Sequence, residues 1–145
     1  MGRLQGNGSL VEGVIPTRYR RIPCPSVGSV YIWLRDGGGP YYFALTAVNT
    51  AGTGSIVNIE IMGSGQTNWT SLVQDPNYTE QRPQERYGAW TLPQGDGPIN
   101  PPVALRLTSP SGEQLVVPNA ITSYTPPSTA IVGFNYIDLG VQFTN

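Results

Sequence analysis

The sequence has 145 residues, of which 39% are hydrophobic and only 12% are charged, with a formal net charge of −1 at pH 7. This length is enough for one domain with its own hydrophobic core. The sparse and balanced charge gives no electrostatic reason to expect nucleic acid or an anionic membrane as a partner, and it favours a neutral partner such as a glycan. No run of apolar residues approaches the length of a membrane span.

The first strong pattern is an aromatic hairpin over residues 30–48. Apolar residues alternate with Tyr31, Trp33 and Arg35 over residues 30–35, which is the period of a strand with one buried face. The Gly-rich residues 36–39 predict a turn, and residues 41–48 predict the returning strand.

The rest of the chain continues as short extended segments separated by Gly-rich and Pro-rich turns. Further strands are predicted over residues 57–62, 68–73, 90–92, 103–108 and 114–117, near Ile131 and Phe134, and over residues 139–143. No apolar pattern with helical spacing persists for three turns. About eight short strands favour an all-β sandwich, and no repeat or internal linker divides it.

The residues of common catalytic sites are scarce in this chain. There is no His and only one Cys, Cys24, which has no partner for an internal disulfide. Nine Asp and Glu residues remain, most of them in predicted turns. A glycan-cleaving enzyme using Asp75 and Asp96 is one alternative, since glycoside hydrolysis needs two facing carboxyl groups. The interpretation that we favour is a protein without catalytic activity, metal or cofactor.

Aromatic side chains are the best candidates for a binding surface. Sugar rings present flat, weakly polar faces that pack on aromatic rings, as bases do in single-stranded nucleic-acid sites. Trp33 falls on the polar face of its strand, Tyr41 and Tyr42 follow the Gly-rich turn, and Tyr78 lies in a long polar loop. Trp69 and Trp90 have apolar neighbours and are interpreted as core residues. Alternation predicts that only one of Tyr41 and Tyr42 faces the core.

Several segments together resemble the C-terminal domain of expansins. The segment TRYRRIPC at residues 17–24 is similar to the end of the first expansin domain, and EGVIP at residues 12–16 resembles the residues before it. YFAL at residues 42–45 and GVQF at residues 140–143 resemble further family motifs, and Gly112 followed by an alternating strand resembles another.

The resemblance implies an immunoglobulin-like sandwich of two antiparallel four-stranded sheets, over residues 25–145, after a linker at residues 1–24. It implies a secreted, cell-wall module that binds cellulose, related β-glucans or xylan without catalysis. Tyr41 and Tyr42 take the positions of a Trp pair in bacterial expansins, Tyr78 falls near the third ring, and Arg35 aligns with a basic residue at the edge. Trp69 resembles a Trp of a family strand.

The chain also departs from the family pattern. Two Tyr rings replace two Trp rings, which predicts a smaller stacking area and a modest affinity. No counterpart of the first expansin domain is present, so the resemblance implies a missing N-terminal domain as partner, and Cys24 is either free or paired with a Cys of that domain. A second hypothesis is an immunoglobulin-like protein-interaction module, with edge strands and Pro-rich loops as its surface.

Overall fold

The computed structural model describes residues 16–20, 22–23, 25, 27–35, 38–74, 88–125 and 136–144. Within these ranges every regular element is a strand, so none of them contains a helix that could cross a membrane. The strands are β1 (Tyr31–Leu34), β2 (Ala44–Val48), β3 (Asn58–Met62), β4 (Thr70–Ser71), β5 (Val73–Gln74), β6 (Trp90–Thr91), β7 (Val103–Thr108), β8 (Gln114–Ile121) and β9 (Tyr136–Asp138). Predictions for Cys24, Asp75, Tyr78, Ile131 and Phe134 fall outside the described residues.

The strands form two antiparallel sheets, which confirms the predicted all-β sandwich. One sheet has five strands in the order β5-β6-β2-β1-β9, and the other has four in the order β4-β3-β7-β8. The resemblance implied four strands in each sheet, so the first sheet carries one more than expected. The proposed boundary between residues 24 and 25 stays a prediction, and β1 begins at Tyr31.

The additional strand arises because the segment predicted as one strand over residues 68–73 is divided between the two sheets. β4 pairs with β3, whereas β5 pairs with β6 in the other sheet. Leu72, between them, is buried and donates its backbone N–H to the Ile59 carbonyl at 2.8 Å. Leu72 is therefore the residue at which the chain passes from one sheet to the other.

The core lies between the sheets and is built by strict alternation. Buried and half-buried residues alternate along β1, β3 and β7, as their sequence patterns predicted. Each large apolar side chain that is fully buried contributes about 1.5–3 kcal/mol relative to its exposed form. The fully buried side chains with the largest volumes are Phe43, Ile32, Leu34, Leu45, Ile59, Ile61, Ile99, Leu105, Leu107, Ile121, Val30 and Val103.

The last strand differs from its prediction. β9 ends at Asp138, and the segment predicted as a strand over residues 139–143 is irregular. The Asp138 carboxylate accepts the Gly140 N–H at 2.8 Å, and Gly140 has φ of 66°, so a turn interrupts the strand. Leu139 and Phe143 are nevertheless buried, and core packing explains the apolar pattern of this segment.

One side chain near the C-terminus joins three segments of the chain. Gln142 Nε2 donates to the Asn49 carbonyl at 2.8 Å and to the Gly28 carbonyl at 3.1 Å. Gln142 Oε1 accepts the Ala51 N–H at 2.9 Å. The residues before β1, those after β2 and the C-terminal segment are therefore tied together, at the end of the sandwich opposite the turn between β1 and β2.

Candidate functional site

The two consecutive tyrosines lie in a tight turn between β1 and β2. The Gly39 N–H donates to the Tyr42 carbonyl at 2.6 Å, and the Tyr42 N–H donates to the Gly39 carbonyl at 3.1 Å. Pro40 and Tyr41 occupy the two central positions. Tyr41 is 74% exposed and Tyr42 is 49% exposed, whereas Phe43 is fully buried.

This geometry corrects the prediction that one tyrosine of the pair faces the core. Alternation does not extend to Tyr41, because Tyr41 occupies a central position of the turn that precedes β2. Phe43 is the residue that points into the core beneath the turn. Both Tyr41 and Tyr42 therefore present their rings to solvent.

Trp33 lies on the outer face of the five-stranded sheet. It is half-buried, and its cross-strand partners are Thr46 on β2 and Tyr136 on β9. The ring centroids of Trp33 and Tyr136 are 6.1 Å apart, with an interplanar angle of 43°. This separation and tilt are typical of a favourable aromatic pair. The sequence analysis placed Trp33 correctly on the polar face but did not identify Tyr136.

Arg35 follows β1 on the same face and is buried, with only 4% of its surface exposed. Its guanidinium carbon lies 3.4 Å from the centroid of the Trp33 ring, and its Nη2 donates to Thr46 Oγ1 at 3.2 Å. One face of the indole is therefore covered by the guanidinium, and the exposed part of Trp33 belongs to its other face and edges. This burial gives Arg35 the geometry of a residue that positions Trp33 rather than one that contacts a ligand directly.

Tyr42 shares this outer face with Trp33. Along β2 the outward residues are Ala44 and Thr46, and continuing the alternation past the buried Phe43 places Tyr42 on the same side. The Arg35 N–H donates to the Ala44 carbonyl at 2.9 Å, which keeps the two strands paired up to the turn. At about 3.3 Å per residue, Tyr42 lies roughly 13 Å along the strand from the position opposite Trp33.

Five aromatic residues are thus carried by this face or by the turn at its end. We refer to them as the outer-face aromatics: Tyr31, Trp33, Tyr41, Tyr42 and Tyr136. Of the predicted site residues, Trp33 and Arg35 are in direct contact, and Tyr41 and Tyr42 are adjacent in the turn. Tyr78 lies outside the described residues.

The outer face of the other sheet carries a different arrangement. The guanidinium carbon of Arg106 lies 4.6 Å from the Trp69 ring centroid, and Arg106 forms a two-pronged ion pair with Glu60 on the neighbouring strand. Hydrogen bonding to the Glu60 carboxylate raises the pKa of Arg106, and its charge adds to this. The interpretation of Trp69 as a core residue is wrong, because it is half-buried on this outer face. Trp90 is buried, as predicted.

Two of the described acidic side chains have structural partners. Glu60 pairs with Arg106, and the Glu113 carboxylate accepts hydrogen bonds from the Thr144 N–H and hydroxyl. Asp96 is exposed in a turn that the Asp96 N–H closes on the Pro93 carbonyl at 3.2 Å. Among the described residues there is no group of three His, Cys, Asp or Glu side chains that could hold a metal ion.

Comparison with models of known protein families identifies the type of domain to which this chain belongs. The model of the expansin C-terminal domain matches residues 34–122, which is more than half of the chain. The chain belongs to the expansin C-terminal domain family. The matched range contains the turn at residues 39–42; Trp33 lies one residue before it, and Tyr136 lies beyond its end at residue 122.

Grass proteins are among the curated relatives of this expansin domain. It is similar to Expansin-B3 of Oryza sativa subsp. japonica, with 27% identity over 124 residues, covering 84% of this chain and 42% of that protein. It is also similar to Expansin-B11 of the same organism, with 30% identity over 118 residues, covering 79% of this chain and 36% of that protein. The chain thus spans about two fifths of the length of these relatives.

A solved bacterial structure shares the fold of this expansin domain. It is a mutant expansin of Clavibacter michiganensis in complex with cellohexaose, and it superposes with a TM-score of 0.58 at 22% identity. The superposition covers 95% of this chain and 56% of that one.

Tyr136 is the aromatic residue on this face that sequence reasoning missed. Its strand has three residues and carries a Tyr-Ile-Asp alternation that is too short to stand out. Because the apolar pattern at residues 139–143 is stronger, the sequence predicts the last strand there and not at Tyr136. Alternation anchored on Ile137, which packs against the core, would have placed Tyr136 on the outer face.

Proposed function

We propose that this expansin domain binds a neutral cell-wall polysaccharide of the cellulose or β-glucan class, without catalysis, on the outer-face aromatics. In this proposal it is the targeting module of a secreted, extracellular protein that loosens the cell wall. The observation that carries the proposal is the exposure of Tyr41 and Tyr42, at 74% and 49%, beside further aromatic residues of the same sheet.

Two physical arguments support a glycan as the ligand. Tyrosine rings supply large contact areas at low conformational-entropy cost, because only two side-chain torsions must be fixed. By analogy with base stacking, each ring is expected to contribute about 1–3 kcal/mol. The low charge of the chain, −1 overall, suits a neutral polymer better than a polyanion.

Within the proposed site the predicted residues take different roles. Tyr41 and Tyr42 stack on sugar rings, and Trp33 contributes the face that Arg35 does not cover. Arg35 holds Trp33 in place from beneath, which replaces the direct ligand contact expected from its alignment. Tyr78 remains the proposed third ring of the family pattern.

The relatives support the class of ligand. The bacterial expansin of the same fold was solved with cellohexaose, a linear β-glucan oligomer, and the grass relatives are named expansins. Xylan is included in the test below because the Tyr pair offers a smaller stacking area than a Trp pair.

Retention on insoluble cellulose, mixed-linkage β-glucan and xylan tests the proposal. The wild-type domain is compared with a Tyr41→Ala/Tyr42→Ala double variant and with Tyr19→Ala, which removes a tyrosine that is 92% exposed but lies before β1. We expect retention of the wild type and of Tyr19→Ala, and loss of retention of the double variant. Equal retention of all three would overturn the assignment to Tyr41 and Tyr42, and no retention of any would overturn the function.

A protein-interaction module is the second candidate, and one observation favours it. β8 is an eight-residue strand at the edge of the four-stranded sheet, and its Val116 is 53% exposed. Long exposed edge strands can pair with another chain. Specific capture of a protein partner by a domain that binds none of the glycans would support this candidate, and loss of capture on Val116→Lys would locate it.

A further inference from the structure

Gly97 packs directly against the backbone and ring of Tyr41. A Cβ atom placed on Gly97 would lie 2.9 Å from the Pro40 carbonyl oxygen, 3.1 Å from Tyr41 Cα and 3.3 Å from Tyr41 Cδ1. The first of these distances is shorter than real Cβ contacts allow, and its partner is a backbone atom. Space, rather than an unusual backbone conformation, therefore requires glycine at this position.

The residues after Gly97 attach this contact to the core. The Ile99 N–H donates to the Pro40 carbonyl at 2.8 Å, and the Ile99 carbonyl accepts the Tyr124 hydroxyl at 2.5 Å. The Tyr124 ring lies 5.2 Å from the ring of Phe43, the buried residue that follows the turn. Residues 97–99 and Phe43 thus both attach the turn to the rest of the domain, and Tyr124 contacts both of them.

We propose that Gly97 is a positioning residue for glycan binding, which holds the Tyr41 ring in its binding orientation through backbone contact. This inference rests on the proposed function. Tyr41 is 74% exposed, so its side chain has few packing contacts and its orientation depends on the surface beneath it. Fixing the ring before binding removes the entropy cost of immobilising it in the complex, which strengthens binding without adding a ligand contact.

A double-variant cycle tests the proposal with binding of cellohexaose measured by calorimetry. Gly97→Ala displaces the turn and is expected to weaken binding about 3- to 10-fold, the range for one immobilised side chain. In the Tyr41→Ala background, Gly97→Ala is expected to weaken binding of cellohexaose by less than about 2-fold, because the ring that Gly97 positions is absent. Gly39→Ala is the matched control, since a Cβ on this glycine of the same turn meets no atom within 4 Å.

Tyr124→Phe provides a variant that adds no bulk. It removes the hydroxyl that holds the Ile99 carbonyl and keeps the ring against Phe43, and we expect a smaller loss of affinity that also vanishes in the Tyr41→Ala background. Affinities are referred to the folded fraction determined from thermal melts.

The outcomes separate this proposal from the function on which it rests. Unchanged affinity of folded Gly97→Ala, or equal losses with and without the Tyr41 ring, would overturn the positioning role while leaving glycan binding intact. If Gly97→Ala does not fold, the Tyr124→Phe cycle decides by the same criterion. A wild-type domain that binds no glycan would overturn the proposed function itself.

Discussion

The guanidinium of Arg35 lies against the ring of Trp33, with 3.4 Å between its central carbon and the ring centroid. The cation is the more buried of the two groups, at 4% exposure, so the indole shields it from solvent. Cation–π contacts of this kind contribute about 2 kcal/mol or more when the charge is desolvated. Arg35 therefore holds one face of the Trp33 ring, while the rest of the ring is available at the surface.

The hydroxyl of Thr46 is expected to stabilise this pair. Thr46→Val keeps the shape of the side chain but removes the acceptor of the Arg35 hydrogen bond. We therefore expect the free energy of unfolding to fall by about 1.5–3 kcal/mol, as for other hydrogen bonds to charged groups. Urea unfolding measures the difference. The control is Thr67→Val at an exposed position, expected to change stability by less than about 0.5 kcal/mol. Equal midpoints and slopes for the two variants would show that the Thr46 bond contributes nothing.

The two half-buried tryptophans provide a comparison between the two sheets. Trp33→Ala and Trp69→Ala each remove an indole that contacts an arginine, on opposite outer faces. We expect Trp33→Ala to weaken glycan binding by about 1–3 kcal/mol, the range for loss of one stacking ring, and Trp69→Ala to leave the affinity of the folded fraction unchanged. Cellohexaose titrations corrected for stability measure both. A larger effect of Trp69→Ala would place the binding surface on the other sheet.

The hydroxyl of Tyr124 should make stability depend on alkaline pH. Burial raises the pKa of this phenol from 10.0 to about 12. Below pH 10 the Tyr124 phenol is neutral in both the folded and the unfolded protein, and its full contribution to the free energy of unfolding is present. Between about pH 10 and 12 the unfolded chain ionises first, so stability is lost as pH rises. Since the group is only partly shielded from solvent, we expect a loss of about 1 kcal/mol.

Tyr124→Phe is the control for this pH dependence. Urea unfolding of both proteins at pH 9, 10, 11 and 12 is expected to show a steeper decline for the wild type over the upper part of this range. Parallel pH profiles for the two proteins would contradict the assignment of the effect to Tyr124.

Core packing and glycan binding should respond separately to substitution. Leu105 is fully buried at the centre of β7, so Leu105→Ala is expected to lower the free energy of unfolding by about 2–5 kcal/mol. Val116→Ala removes an exposed side chain from the neighbouring strand and is expected to cost less than about 0.5 kcal/mol. Denaturant unfolding gives both values. The folded fraction of either variant should bind glycan as the wild type does, and a loss of affinity in that fraction would show that the site depends on β7 or β8.

The sequence predicted the strands in which one face is buried along the whole length. β1, β3 and β7 have four to six residues and alternate in burial, which gives a clear period of two. β5 and β6 have two residues each, and no periodicity can be read from two residues. The crossing at Leu72 depends on which sheet offers a partner for the next residues, and that is a tertiary property.

For the candidate site, local patterns in the sequence predict surface positions but not the contacts between residues. Alternation and the Gly-rich turn predict surface positions for Trp33, Tyr41 and Tyr42, and the resemblance to expansins adds their binding role. The structure shows both tyrosines exposed around the turn at residues 39–42. The burial of Arg35 depends on Trp33 folding over it, and the contact of Gly97 with Tyr41 joins residues 56 positions apart. Contacts of this range are fixed by the packing of the sheets and leave no local pattern in the sequence.

The hydrogen bonds of the Gln142 side chain have a practical consequence for how the domain can be attached to other molecules. These bonds hold Gly28, which precedes β1, and Gln142, near the C-terminus, at one end of the sandwich. The turn that contains Tyr41 lies at the other end. A fusion partner, a fluorescent label or a solid support joined next to Gly28 or Gln142 would therefore be attached at the end of the sandwich opposite the tyrosines. Two such domains joined in tandem by a flexible linker could engage one polymer together and gain avidity through a raised effective concentration.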